Sequence, residues 1–441
     1  MKRSFYGVID GIGAEHLFGV SLLFFVIDNV VNYFIHIPIF VAFGLVLVPF
    51  LTFTLYRRGT MCGAGAILSG VLVISAVIGA FRFGLAAKNV SDLLFLLLFV
   101  LSWIFYRDSP GISLRSVYYF FVVCTILFSF TFAGFDRFEY SQDRVARRAF
   151  DETAKAQGKG REYGSWQRSK EKREVYEKDP MKLGRQWNLS YEVFREYHKG
   201  LFRVPHVASY FFALLALFFA GKWYWGGGKL EFVLPTIVSV GCCLYTGSRT
   251  IIFAFIGAVL LFLLFSKRWR WMMFAVVIAG LLFLFFLHPL MRLFQNTFLF
   301  QYLVTFDTLL SDPGQFSRVK IWMSWWQEIK QFGIADILFG RTPLRGMEAN
   351  FRNLGTGIWF HNDFLQVMYA YGVGALILFG FFWVSIYRHT IVSFGHNFLH
   401  MTFYLMMLLS AIFNGFYFYF PVLLLPLYIT MSFKAANVNS V

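Results

Sequence analysis

Charge is what this sequence has least of. Asp, Glu, Lys and Arg make up 15% of the 441 residues, against about a quarter in a soluble domain. Hydrophobic residues reach 58% and aromatics 21%, which excludes an ordinary soluble chain. Cysteine is scarce as well. Cys62, Cys124, Cys242 and Cys243 all lie within or at the edge of apolar runs, so they read as small buried hydrophobes and imply neither a disulfide framework nor a metal site. The sequence has no Asp-x-Asp pair and no phosphate-cradling loop of the Walker type. Strand-like alternation is missing from several of the apolar runs, which favours helices over a barrel.

What is there is a succession of apolar runs near the roughly 20 residues that cross a bilayer. They are Leu17–Tyr33, Ile37–Tyr56, Met61–Phe81, Val90–Tyr106, Val117–Phe135, Val204–Ala220, Phe232–Tyr245, Ile251–Phe265, Trp271–Leu287, Phe364–Tyr387, Phe398–Phe413 and Phe416–Met431. The fold class is therefore an all-α polytopic membrane protein with about twelve transmembrane helices. Five blocks follow: helices one to five in 1–135, a polar loop in 136–203, helices six to nine in 204–290, a second loop in 291–360, and helices ten to twelve in 361–441. The basic start, Met1-Lys2-Arg3, lacks a small-x-small cleavage site and does not read as a cleaved signal.

The net charge of +16 does not point to nucleic acid, because of where it sits. With the N-terminus inside, the inner turns hold Lys2/Arg3, Arg57/Arg58, Arg107/Arg115, Lys222/Lys229, Lys267/Arg268/Arg270, Arg388 and Lys434. The short outer turns hold only Arg82, Lys88 and Arg249. This is the positive-inside pattern. Both termini are then cytoplasmic, and both long loops lie on the outer face.

The first loop, Asp136–Arg203, is rich in Lys, Arg, Glu and Tyr, and suits either a solvated helical cap or a basic surface for an anionic or sugar-rich substrate. The second, Met291–Phe360, contains a Trp-rich stretch, Gln315–Phe332, that reads as an amphipathic helix at the outer interface with Arg318 at one end. Asp28 and Asn29 read as interface residues and Arg82 as a side chain snorkelling to headgroups. His206, after Pro205, either caps the sixth span or faces a cavity.

Arg249 is held by the short turn Thr246-Gly247-Ser248-Arg249-Thr250, on the side where the charge rule expects no cation. A guanidinium there is placed to grip a lipid phosphate through paired donors. His361 precedes Asn362, a good N-cap for the helix that starts at Asp363. The positive helix end favours a neutral imidazole that can take a proton, whereas Asp363 pulls the other way. Two arginines and a histidine on one face suit displacement at a diphosphate-activated centre. Gly372 and Gly374 would let neighbouring helices approach.

Three pieces carry a family resemblance: SRVKIW followed by WFHNDFLQVMYAYGVG, YTGSR at the seventh-to-eighth turn, and GLFRVPHVASYF at Gly200–Phe211. Over roughly Gly200 to Gly374 the chain resembles the bacterial O-antigen ligase and polymerase superfamily. The resemblance implies a GT-C-like membrane fold with two large periplasmic loops, in the bacterial inner membrane, with its active site on the periplasmic face. It implies transfer of a glycan from undecaprenyl diphosphate to an acceptor hydroxyl with inversion, without metal or nucleotide cofactor. Arg249 and Arg318 would bind the diphosphate and His361 would activate the acceptor. Asn362, Asp363, Ser248, Arg203, His206 and Arg345 would be support or acceptor contacts. The expected partners are the lipid-linked donor, a glycan or lipid A-core acceptor, membrane lipids and, for a polymerase, a chain-length regulator. The Arg-x10-Gly spacings at Arg147–Gly158 and Arg173–Gly184 incline the reading slightly towards a polymerase over a ligase. A lipid-linked sugar flippase or transporter is the alternative of another class, and predicts deep charges and repeated halves.

Overall fold

The computed structural model describes residues 13–35, 39–61, 63–107, 112–133, 198–225, 228–265, 270–294, 302–303, 306–307, 310, 317–354, 358–389, 398–417, 423 and 427. Among them, every regular element is a helix. The order is α1 (Ala14–Ile35), α2 (Ile39–Arg57), α3 (Ala64–Phe83), α4 (Ala87–Arg107), α5 (Leu114–Ser129), α6 (Pro205–Trp225), α7 (Val233–Tyr245) and α8 (Arg249–Phe265). Then come α9 (Arg270–Phe285), α10 (Leu287–Leu293), α11 (Ser317–Ile329), α12 (Ile334–Phe339), α13 (Pro343–Leu354), α14 (Asp363–Tyr387) and α15 (Phe398–Phe413).

Seven of these helices, α1 to α6 and α14, are long and apolar enough to cross a membrane. The bent pair α9–α10, broken by 66°, would make eight. Shorter apolar helices occur at Leu230–Tyr245, Arg249–Ala258 and His400–Phe413. The twelve spans expected from hydropathy thus meet seven or eight full-length helices among the described residues. Most of the last expected span, Phe416–Met431, lies outside those residues, as do nearly all of the first polar loop and both Arg-x10-Gly spacings.

Contacts across the bundle give it two distinct ends. At one end Arg58 lies over the Phe105 ring at 5.0 Å, Trp103 meets His389 at 5.5 Å, and Glu15 takes a hydrogen bond from Ser116 at 2.7 Å. At the other end Asn89 accepts from the Leu344 N–H at 2.9 Å and His198 stacks on Tyr245 at 4.1 Å. Successive helices therefore run up and down. The core between the ends is aromatic: Phe25, Phe120 and Phe211 pack edge to face, and Phe99 meets Phe379, Phe382 and Phe416. In lipid such packing, together with buried polar bonds, holds helices together in place of a hydrophobic driving force.

Asp28 and Asn29 are among those bonds, and this corrects their reading as interface residues. Both are fully buried. Asp28 accepts the Phe40 N–H at 2.8 Å and Asn29 accepts the Arg203 N–H at 2.7 Å, which ties α1 to the starts of α2 and α6. Backbone N–H groups at helix starts have no partner within the helix, so a buried start needs such an acceptor.

Within the second polar loop, the described residues 317–354 form a helical cap. α11 packs on α13 and α14 through Ile321, Ala349, Phe360 and Tyr369. Trp325 donates to the Leu365 carbonyl at 3.1 Å, and Glu328 accepts from Arg352 at 3.1 Å. Ile321, Trp325 and Glu328 fall on one face of the amphipathic helix expected over Gln315–Phe332, and that face meets protein rather than lipid.

α14 breaks at Gly372, whose φ is +86°. The break frees carbonyls that an unbroken helix would use. The Arg341 N–H donates to Tyr369 O at 2.8 Å and the Thr342 N–H to Ala370 O at 3.3 Å. Glycine is required on both sides of this clasp. A Cβ on Gly372 would stand 2.2 Å from Leu338 O, and one on Gly340 (φ +75°) would stand 2.4 Å from the Ala370 backbone. Gly374 has open space around it and makes no such approach, contrary to expectation. Arg82 pins the clasp from α3: it pairs with Asp336 at 2.5 Å and donates to Gly340 O at 3.2 Å, instead of snorkelling to headgroups. Arg341 pairs with the same carboxylate at 2.8 Å.

Candidate active site

The head of α14 is fixed from the sequence upward. Asn362 has an extended backbone, and its side chain accepts from the N–H groups of Phe364 at 3.0 Å and Leu365 at 3.1 Å. It is the N-cap that its position predicts. His361, just before it, has φ +51°. For a residue with a Cβ this left-handed conformation costs about 1–2 kcal/mol, and such strain persists only where the surroundings impose it. Here Phe360 is buried against Tyr369 on one side and the Asn362 cap fixes the other.

Asp363 is engaged by the turn after α15. Its Oδ2 accepts the N–H groups of Phe416 at 2.5 Å and Tyr417 at 3.3 Å, docking the turn after α15 onto the start of α14. That turn begins at Asn414. The N–H groups of Asn414 and Gly415 both donate to Ser410 O at 2.9 Å, and Gly415 takes φ +87°, a left-handed helix stop. The turn delivers the Asn414 side chain to the expected site. Its Oδ1 accepts from Arg318 Nη2 at 2.7 Å, and Asn414 is among the groups that act on the His361 ring.

A second pair comes in from α6 and α8. His206 Nδ1 lies 2.5 Å from Ser248 Oγ, and Arg249 follows Ser248 as the buried first residue of α8. His206 and Arg318 both act electrostatically on His361, so the groups share one neighbourhood. Every contributing helix except α15 presents its N-terminal turn: His206 on α6, Arg249 on α8, Arg318 on α11 and Asn362 capping α14. Together the helix ends and guanidinium groups make a positive region suited to an anion.

Burial first, then the charges of Arg318 and His206, hold His361 well below the ordinary histidine value. Asn414 opposes this and does not outweigh it. The ring is therefore held in its neutral form at neutral pH, by burial and the two cations rather than by the helix end or Asp363. Three polar atoms in the group are buried without hydrogen-bond partners: His361 Nδ1, Arg318 Nε and Asp363 Oδ1. Such atoms cost about 1–3 kcal/mol each, a cost that a bound ligand can remove.

Two of the expected support residues are drawn elsewhere. Arg345 pairs with Glu348 at 2.8 Å within α13 and lies over the Phe83 ring at 5.6 Å. Arg203 sits beside Asp28 and Lys88, one step out from the histidine. Lys88 in turn lies over the Trp359 ring at 4.5 Å, and Trp359 stands 6.4 Å from the His361 ring. Sequence reasoning missed Asn414, although Asn-Gly after an apolar run is a helix-stop signal. It also missed Asp92, fully buried in α4, which takes hydrogen bonds from Tyr371 at 3.0 Å and Tyr417 at 3.3 Å. An acid close to the start of an apolar span was the available signal.

The fold and the site define a helical membrane protein with a basic, histidine-containing centre at one end of its bundle. Residues 234–380 match the family model of O-Antigen ligase, which supports the O-antigen ligase/polymerase superfamily. The matched stretch carries Ser248, Arg249, Arg318, His361, Asn362 and Asp363, while His206 and Asn414 lie outside it. No curated protein and no solved structure matches the chain.

Proposed function

We propose that this protein is an inverting membrane glycosyltransferase that moves a glycan from undecaprenyl diphosphate to an acceptor hydroxyl. The reaction takes place on the periplasmic face of the inner membrane, with both chain termini in the cytoplasm. The convergence of Arg318, Asn414 and His361 carries this reading. Arg318 and Arg249 hold the donor diphosphate and offset the charge that grows on it as it leaves. His361 takes the acceptor proton. The acceptor oxygen attacks the anomeric carbon from the face opposite the diphosphate, which inverts the configuration.

The acceptor is a second lipid-linked glycan in the polymerase reading and a lipid A core in the ligase reading. The family model's description favours the ligase, and the two long polar stretches incline towards the polymerase. Cells with His361→Ala should insert the protein normally and lose the surface glycan. Single repeat units left on the final acceptor mark a polymerase, and finished polymer left on the carrier lipid marks a ligase. A variant that keeps full glycan display overturns the proposal.

A further inference from the structure

We infer that Lys88 and Trp359 form the subsite for the acceptor sugar, and that this sugar is acidic, with a phosphate or carboxylate on the ring that bears the attacking hydroxyl or on its neighbour. The inference rests on the proposed role of His361 as the base that meets that hydroxyl. It starts from a cation the site has not yet used. The charge rule leaves three cations unexplained in the short outer turns. Arg82 closes the clasp, and Arg249 enters the candidate site beside Ser248. Lys88, in the first turn of α4, is the third.

Lys88 is turned onto protein. Its Nζ lies 4.5 Å from the centre of the Trp359 ring. The next residue, Asn89, accepts the Leu344 N–H at 2.9 Å, so the cap covers the start of α4. Trp359 is half-buried in the segment that leads into α14, and its ring meets the His361 imidazole edge to face at 6.4 Å. Ammonium, indole and imidazole therefore follow one another into the centre.

Donor and acceptor need different things from the protein. A diphosphate needs paired donors, and Arg249 and Arg318 supply them from the starts of α8 and α11. It has no use for an aromatic face. A sugar ring does, because its C–H groups carry the slight positive charge that draws an aromatic edge, or an ammonium, onto an indole. Lys88 adds what a neutral sugar would not need. It is a compact point charge rather than a planar fork, and suits a single anionic group on the sugar. Its place just beyond Trp359 from His361 sets that group on the attacking ring or the one beside it.

The test is calorimetric binding to full-length protein in lipid nanodiscs, without donor, so that no transfer occurs. The probes are a core oligosaccharide carrying its phosphates, the same oligosaccharide after dephosphorylation, and an oligosaccharide ending in a uronic acid. Wild-type protein should bind an acidic probe about 10- to 100-fold more tightly than the neutral one, the scale of one charge-assisted hydrogen bond. The tighter acidic probe identifies the group as phosphate or carboxylate. Lys88→Met keeps the apolar stem and removes the charge. It should erase the preference by weakening the acidic probe alone, and Lys88→Arg should retain most of it. Trp359→Ala should weaken acidic and neutral probes alike. Undecaprenyl diphosphate should bind these variants as it binds wild-type protein. The inference is overturned if wild-type protein shows no preference for an acidic probe, or if Lys88→Met keeps the preference or loses undecaprenyl diphosphate instead. Full transfer by His361→Ala would remove the base role and leave the binding differences standing.

Discussion

α14 is irregular in two places, and they are built on opposite terms. At Gly372 the helix breaks, and the backbone carbonyls it frees are met within the protein. A glycine takes the positive φ, and the carbonyls of Tyr369 and Ala370 are met by the N–H groups of Arg341 and Thr342. At His361 the chain takes a positive φ without glycine, beside polar atoms that lack partners. Strain alone does not separate the two, because Thr342 in the clasp also takes a positive φ and leaves its buried hydroxyl without a partner. The difference is chemical: the clasp is closed by backbone bonds and the Asp336 ion pairs, whereas the His361 end gathers an imidazole and the Arg318 guanidinium with buried atoms left unmet. Unmet atoms of that kind are what an anionic ligand would serve.

The comparison breaks if the clasp can be altered freely. Gly372→Ala places a Cβ against a carbonyl in a conformation that disfavours it. It should cost about 3 kcal/mol or more, seen as a lower midpoint in thermal unfolding in detergent and as loss of inserted protein. Arg318→Lys acts at the other end. It keeps the charge but loses the planar fork, and should lower kcat about 10²–10³-fold with the fold intact, measured by glycan transfer in proteoliposomes.

The ion pairs at the clasp give a smaller effect with a defined pH dependence. Asp336 lies below the usual carboxylate range despite burial, because Arg341 and Arg82 hydrogen-bond to it. Its stabilising contribution is complete above the ordinary carboxylate pKa and is lost as pH falls through the lowered folded value. Asp336→Asn should cost about 1–3 kcal/mol at neutral pH and flatten that acid loss in unfolding curves taken across pH. For His361 the dependence comes from exclusion of a proton. The folded ring stays neutral where an unfolded one would be charged, so folding loses stability as pH drops below the ordinary histidine value. Activity should persist to that pH and fall only below it. The smallest effect is a gain: His361→Gly removes the backbone strain and should stabilise the fold by up to about 1 kcal/mol while abolishing transfer.

Hydropathy showed where the helices of α1 to α6 and α14 lie, because each carries its own signal over many residues. The Asn362 cap was legible for the same reason, since donor and acceptor are neighbours in the chain. Arg249 and Arg318 stood out as cations in outer segments rather than through any contact. What the sequence hid is long-range. Nothing near Asn414 says that it meets Arg318, and nothing near Gly372 says that Leu338 passes within van der Waals distance. Asp28 and Arg82 were misread because a polar residue near a span end has the same local pattern whether it meets headgroups or a partner helix.

The central claim is that His361 is the base. The direct measurement is single-turnover transfer by wild-type and His361→Ala protein in proteoliposomes, with a lipid-diphosphate-linked glycan donor at saturating acceptor. The expected result is a loss of about 10²–10⁴-fold in the transfer rate, with donor binding retained through Arg249 and Arg318. An unchanged rate in His361→Ala would contradict it.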